Sequence, residues 1–218
     1  TFFFKNFLFY IFLVSESYSQ SIGSEIHFLD NIKKPFWISS NNDGAYSNGS
    51  IIRFKISEES EIFKYDTEVI FPINQNEPPL FNQLYLKLNN NNFYIQIGKK
   101  SNRFKFNTLS SGSLIESSNA EPIPKILFGN TDYRAINFFN MNFQYSIKIG
   151  HSWIKSSEYI KDPFLHEKSL YIRKNISENS SFKMGLNHMA IWAGETKNHG
   201  KQQSEISDFF RIFFALPG

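Results

Sequence analysis

In "SIIRFKIS", residues 50–57, every second side chain is apolar: Ile52, Phe54 and Ile56 fall on one side, Arg53 and Lys55 on the other. A two-residue period turns successive side chains to opposite faces of an extended chain, so it points to a strand with one apolar and one polar face. The pattern recurs. "KYDTEVIF" sets Tyr65, Thr67, Val69 and Phe71 against Lys64, Asp66 and Glu68, and "QLYLKL" sets Leu84, Leu86 and Leu88 against Gln83, Tyr85 and Lys87. "FYIQIGK" sets Phe93, Ile95 and Ile97 against Tyr94, Gln96 and Gly98, and "FQYSIKIG" sets Phe143, Tyr145, Ile147 and Ile149 against Gln144, Ser146 and Lys148. "SLYIRK" and "SFKMGLNHMAIW" continue it less cleanly. Runs rich in Asn, Gly, Pro and Ser separate these segments, such as "NNDGAYSNG", "NQNEPP" and "KNHGKQQ", as turns require. No segment has a convincing helical period, and "ISDFFRIFF" reads as one more strand. The expected fold is all-β and antiparallel.

Alternation alone admits two solvents. In a soluble sandwich or small barrel the apolar face turns inward. In an outer-membrane barrel it meets lipid, and the polar face lines a wet lumen. Three features favour the membrane. The segment "TFFFKNFLFYIFLVSESYSQ" runs from Lys5 through an apolar stretch, Phe7 to Val14, to the small residues Ser15, Ser17 and Ser19, the layout of an export signal. Residues 1–19 are expected to be a signal peptide cleaved near Ser19 or Gln20, and residues 20–218 a partial transmembrane β-barrel domain. The polar faces carry long charged side chains, and aromatics (Phe71, Phe93, Phe143, Trp192) sit near strand ends, where interfacial girdles belong.

Composition narrows the chemistry. The chain has no cysteine, which removes disulfides, thiolate metal sites and cysteine nucleophiles. A formal net charge of +3 does not suggest a nucleic-acid partner. His151, His166 and His188 are widely spaced and lack the His-Glu-x-x-His zinc pattern, so no metal, cofactor or catalytic residue is expected. Glu116 and Glu121 form a carboxylate pair that no spacing rule singles out. The long stretch "LSSGSLIESSNAEPIPKI", residues 109–126, contains Pro122 and Pro124. Each removes a ladder donor, so the stretch is expected to cross the lumen, bend a strand near a rim or form a surface loop.

Five segments in series resemble the capsule assembly Wzi family, in the form common among Bacteroidetes. They are "KPFWISSNNDG" (34–44), "GKKSNRFKFNTLSSGSLIESSNAEPIPKI" (98–126), "DPFLHEKSLYIRK" (162–174), "GLNHMAIWAG" (185–194) and "GKQQSEISDFFRIFF" (200–214). They follow in the same order and are spread across nearly all of the chain beyond the leader. Ala193 stands where the family usually has the first Gly of Trp-Gly-Gly, and Gln203 where a Pro is often seen. The resemblance implies a monomeric outer-membrane barrel of about 18 strands, of which this chain looks like the N-terminal half. It also implies a lectin-like role, holding capsular or surface polysaccharide at the cell surface without catalysis.

Sugar recognition needs aromatic faces and planar hydrogen-bonding cations. The candidates are Trp37, Tyr133, Arg134, Trp153, Arg173 and Trp192, with Arg173 alternatively paired to Asp66 or Glu68. His166, Glu167 and His188 are expected to form a structural network in the lumen. The expected partners are surface polysaccharide and outer-membrane lipid. The competing functions are a porin or specific channel, a barrel-embedded hydrolase and a soluble β-sandwich.

Overall fold

Strands form where the alternation is cleanest, and they pair in the order of the chain. The computed structural model describes residues 20–27, 50–73, 77–101, 120–138 and 141–216. The expected leader, Trp37, Glu116 and residues 109–119 of the Pro-containing stretch lie outside these. The strands of the main sheet are β1 (Gln20–His27), β2 (Ser50–Glu59), β3 (Phe63–Ile73), β4 (Leu80–Asn90), β5 (Phe93–Lys99), β6 (Pro124–Asn130), β7 (Arg134–Phe138) and β8 (Met141–Trp153). After the short β9 (Ile160–Lys161) come β10 (Phe164–Ser177) and β11 (Ser180–Trp192). They make one antiparallel sheet in the order β1-β2-β3-β4-β5-β6-β8-β10-β11. β6 and β7 are successive segments of one rail along β8, from Lys125↔Ser152 to Phe138↔Met141, with a two-residue offset between Gly129↔Lys148 and Arg134↔Tyr145. Among the described residues, β1 and β11 are its edges. Pro124 is the first residue of β6, a position where the missing N–H is tolerated.

The two ends of the sheet differ. Residues 60–62, 91–92 and 178–179 close tight turns at one end. Residues 28–49, 100–123 and 154–163 make longer connections at the other. At the long-connection end, β9, β12 (Glu195–Thr196) and β13 (Gly200–Lys201) form a small separate sheet.

Burial is reversed relative to a water-soluble sheet. On one face, Phe54, Ile56, Leu84, Leu88, Ile95, Ile97, Ile126 and Leu170 are exposed, reaching 80% at Ile22. On the other, Asp66, Glu68, Gln96, Lys125 and Glu167 are buried. Among the described residues, the buried apolar cluster is small, Ile51 with Ile70 and Leu80. The polar face is packed by large residues set opposite glycines. Tyr85 faces Gly98, Tyr94 faces Gly129, Glu167 faces Gly150 and Tyr171 faces Gly185. A Cβ on Gly185 would come within 2.2 Å of the Tyr171 ring, and one on Gly129 within 3.0 Å of Tyr94. Gly129, Gly150 and Gly185 leave space that the facing side chain fills, as aromatic residues shield strand glycines elsewhere, whereas at Gly98 it is the Leu84 backbone that comes close.

The closing segment corrects the expectation. "ISDFFRIF" is not a strand but a helix, α1 (Ile206–Phe213). Short apolar runs fit either period, and here end signals decide. The Asp208 carboxylate accepts from the Glu205 N–H at 3.0 Å, satisfying a donor that a helix start leaves open. At the other end Leu216 N–H donates to Arg211 O (2.9 Å) and Ala215 N–H to Ile212 O (3.1 Å), with Ala215 left-handed at φ 53°; this is a Schellman stop. Four residues apart, Phe209 and Phe213 then share one side of the helix.

After β11 the chain turns through two left-handed residues, Ala193 (φ 56°) and Gly194 (φ 82°). Only glycine escapes the Cβ penalty there. Ala193→Gly is therefore expected to stabilise the protein by about 1 kcal/mol. Gly194→Ala, whose Cβ would meet Lys161 O at 2.8 Å, is expected to destabilise it. Denaturant unfolding of both variants checks the signs.

Candidate functional site

Register sorts the candidate residues by face. Glu167 pairs opposite Gly150 on the polar face. Lys125 Nζ donates to its Oε1 at 2.9 Å and Lys148 Nζ lies 3.4 Å from Oε2. Lys125 is 5% exposed and Glu167 2%, so the ion pair is desolvated. The bare backbone of Gly150 makes room for it, since a Cβ there would sit 2.7 Å from the Glu167 side chain. A second set of pairs lies on β1–β3: Lys55 with Asp66 at 3.0 Å, and Arg53 with Glu68 at 3.8 Å and Glu25 at 3.7 Å. Asn82 Nδ2 donates to Glu68 at 2.6 Å.

The expected network of His166, Glu167 and His188 does not form. His166 is adjacent to Glu167 in one strand, and the two-residue period sends it to the opposite, apolar face. There His166 pairs in register with His151, and its ring centroid is 5.8 Å from that of His188. Helix α1 covers this corner: Phe209 and Phe213 lie 5.6 and 5.4 Å from the His166 ring, and Lys168 Nζ donates to Phe213 O. His166 is fully buried, and neither of its ring nitrogens has a hydrogen-bond partner.

The six sugar-binding candidates do not converge. Trp153 and Trp192 stand at the long-connection end, either side of Phe164 in register. Trp192 packs among Phe164, His151 and Phe209 at 5.2–6.0 Å and is only 9% exposed. Its faces are occupied. Trp153, edge-on to His151 at 5.0 Å, is 41% exposed and keeps surface for a ligand. Tyr133, Arg134 and Arg173 lie at the tight-turn end. Arg134 is a staple, donating to Asn91 O and to Thr131 Oγ1 (2.9 Å). Arg173 stacks on Tyr133, 4.2 Å from the ring centroid, and donates from Nε to Gln144 at 2.6 Å. It does not reach Asp66 or Glu68, because β4, β5, β6 and β8 lie between β3 and β10.

Sequence reading missed Lys125 and Lys148 as partners of Glu167. The one available signal was a lysine and a glutamate at polar positions of separate alternating segments. Which strands become neighbours is not written in either segment. Among the described residues, no group of three or more His, Asp or Glu side chains is placed to hold a metal.

No family model matches the chain, and neither a curated protein nor a solved structure is significantly similar to it.

Removing one member of a buried pair leaves an uncompensated charge. Glu167→Gln is therefore expected to destabilise the protein by roughly 3–5 kcal/mol, and the double variant Lys125→Met/Glu167→Leu to recover most of that. Denaturant titration followed by tryptophan fluorescence compares the two.

Proposed function

We propose that this chain forms part of an outer-membrane β-barrel of the capsule assembly Wzi type, which holds surface polysaccharide at the cell surface without a chemical step. One observation carries the membrane placement: the sheet buries its charged face and exposes its apolar face. In water such a sheet would leave a broad apolar surface uncovered, far beyond what monomers tolerate. In a bilayer the same surface meets hydrocarbon, and the ion-paired face is the wet interior.

Other features fit this placement. β2, β3 and β4 are 10, 11 and 11 residues long, close to the 9–11 or so that a tilted transmembrane strand needs. Tight turns at one end and long connections at the other match the periplasmic and extracellular sides of such barrels. With that orientation Trp153 belongs to the extracellular rim, where surface glycan is met. In lipid both edges must be paired, so β1 and β11 join further strands to close a monomeric barrel. The five-segment resemblance supplies the capsule assignment.

A channel is the second reading, favoured by the charged side chains along the polar face. Conductance in a planar bilayer separates the two: steady single-channel steps support a channel, and a silent barrel supports a binding role.

The absence of native cysteine makes the membrane placement directly testable. Leu84→Cys and Leu170→Cys on the apolar face, and Gln96→Cys and Asn187→Cys on the polar face, are spin-labelled in lipid vesicles. Labels on the apolar face are expected to relax with oxygen, and those on the polar face with a water-soluble nickel chelate. Equal access of the nickel chelate to all four positions would refute the membrane placement.

A further inference from the structure

The apolar face of the sheet has one polar corner. His166 and Lys168 of β10 stand on that face, with His151 of β8 opposite His166 and His188 of β11 opposite Lys168. In a bilayer these side chains would meet acyl chains, where unpaired polar groups are costly. The sheet does not satisfy them. His166 lacks a hydrogen-bond partner at both ring nitrogens, and His151 and His188 lack one at Nδ1.

Helix α1 lies over this corner and has two unlike sides. On the inner side Phe209 packs 6.0 Å from the His151 ring and 5.6 Å from that of His166, and Phe213 packs 5.4 Å from His166. Lys168 donates to Phe213 O, with its ammonium 5.0 Å from the Phe213 ring centroid. Carbonyls at a helix C-terminus have no partner within the helix and attract cations, so this side answers the polar corner. On the outer side Ile206, Phe210 and Phe214 follow at intervals of four residues, which aligns them in one stripe. They are 78, 53 and 62% exposed. Arg211 and Ser207 are exposed beside them. The stripe packs on nothing in the sheet, whose contacts fall to Phe209 and Phe213.

We infer that α1 is a membrane-interface helix: it seals the histidine corner from lipid and docks on the acyl-chain boundary of the bilayer through Ile206, Phe210 and Phe214, with Arg211 among the headgroups. This rests on the membrane placement above and adds to it an element outside the strands. Continuity identifies the occupant. The stripe carries the exposed apolar face of the sheet across the one corner where histidines interrupt it. Phe209 meets His151 two residues from Trp153, at the strand ends where aromatic girdles mark the boundary between hydrocarbon and headgroups. A cation flanking the stripe completes the pattern of a helix lying in that plane, since an arginine stem runs along apolar surface while its guanidinium stays in the polar layer.

The test places single spin labels on the full chain in phosphatidylcholine vesicles, at Phe210→Cys and Phe214→Cys on the stripe and at Ser207→Cys beside it, with Leu170→Cys on the sheet as reference. All four sites are exposed, so the labels displace no packed side chain. The ratio of oxygen to nickel-chelate relaxation is expected to be severalfold higher at Phe210→Cys and Phe214→Cys than at Ser207→Cys, and to approach that of Leu170→Cys. Nickel access at Phe210→Cys and Phe214→Cys, with oxygen access kept at Leu170→Cys, overturns the inference and leaves the membrane placement standing. Protection of the stripe from both reagents overturns it too, because a protein surface then covers α1. Oxygen access without nickel access at Ser207→Cys overturns the boundary position, since the whole helix then lies in hydrocarbon. Nickel access at Leu170→Cys as well removes both the inference and the placement beneath it.

Discussion

Lys125 reaches from β6 past Gly150 of β8 to Glu167 on β10, and this ion pair occupies ground where a soluble sheet would place leucine. A desolvated charge is tolerated only with its partner in place. The pair therefore ties three strands to one register, since a slip by one residue would carry Glu167 to the apolar face and leave Lys125 buried alone. The repeated opposition of a large side chain to a glycine does the same for packing. Tyr94 over Gly129 and Tyr171 over Gly185 each work in one register only.

These constraints give the two faces different roles. Among the described residues, the apolar face is largely exposed apart from the corner under α1, where Phe209 and Phe213 cover His166. The polar face holds the ion pairs, the buried amides and the tyrosines. Such a division suits a sheet with hydrocarbon on one side and water on the other. It suits a soluble core poorly, because the buried side would consist mainly of charged groups rather than apolar surface.

The sites anticipated from sequence fared unevenly, for physical reasons. Tyr133 and Arg173 do meet, although about 40 residues apart along the chain, a separation that strand pairing erases. Trp192 and Trp153 look equivalent in sequence, yet one is enclosed by Phe164, His151 and Phe209 and the other is open. His166 and Glu167 invite a joint role because they are neighbours in the chain; in a strand, adjacency means opposite faces. The helix at "ISDFFRIF" was hidden because aromatic runs are common in strands. Its start is marked instead by the Glu205 and Asp208 pair, whose spacing of three residues carries meaning only once the helical turn exists.

By itself, the sequence determined the strand character of β2–β5, β8, β10 and β11 and the face on which their side chains fall. Both follow from backbone geometry, which is local: a pleated chain alternates whatever it packs against. Strand neighbours were not legible, nor therefore the partner of Glu167, the meeting of Arg173 with Tyr133, or the covering of the histidines by α1. Those depend on pairings between segments tens of residues apart, which only the assembled sheet brings within reach of one another.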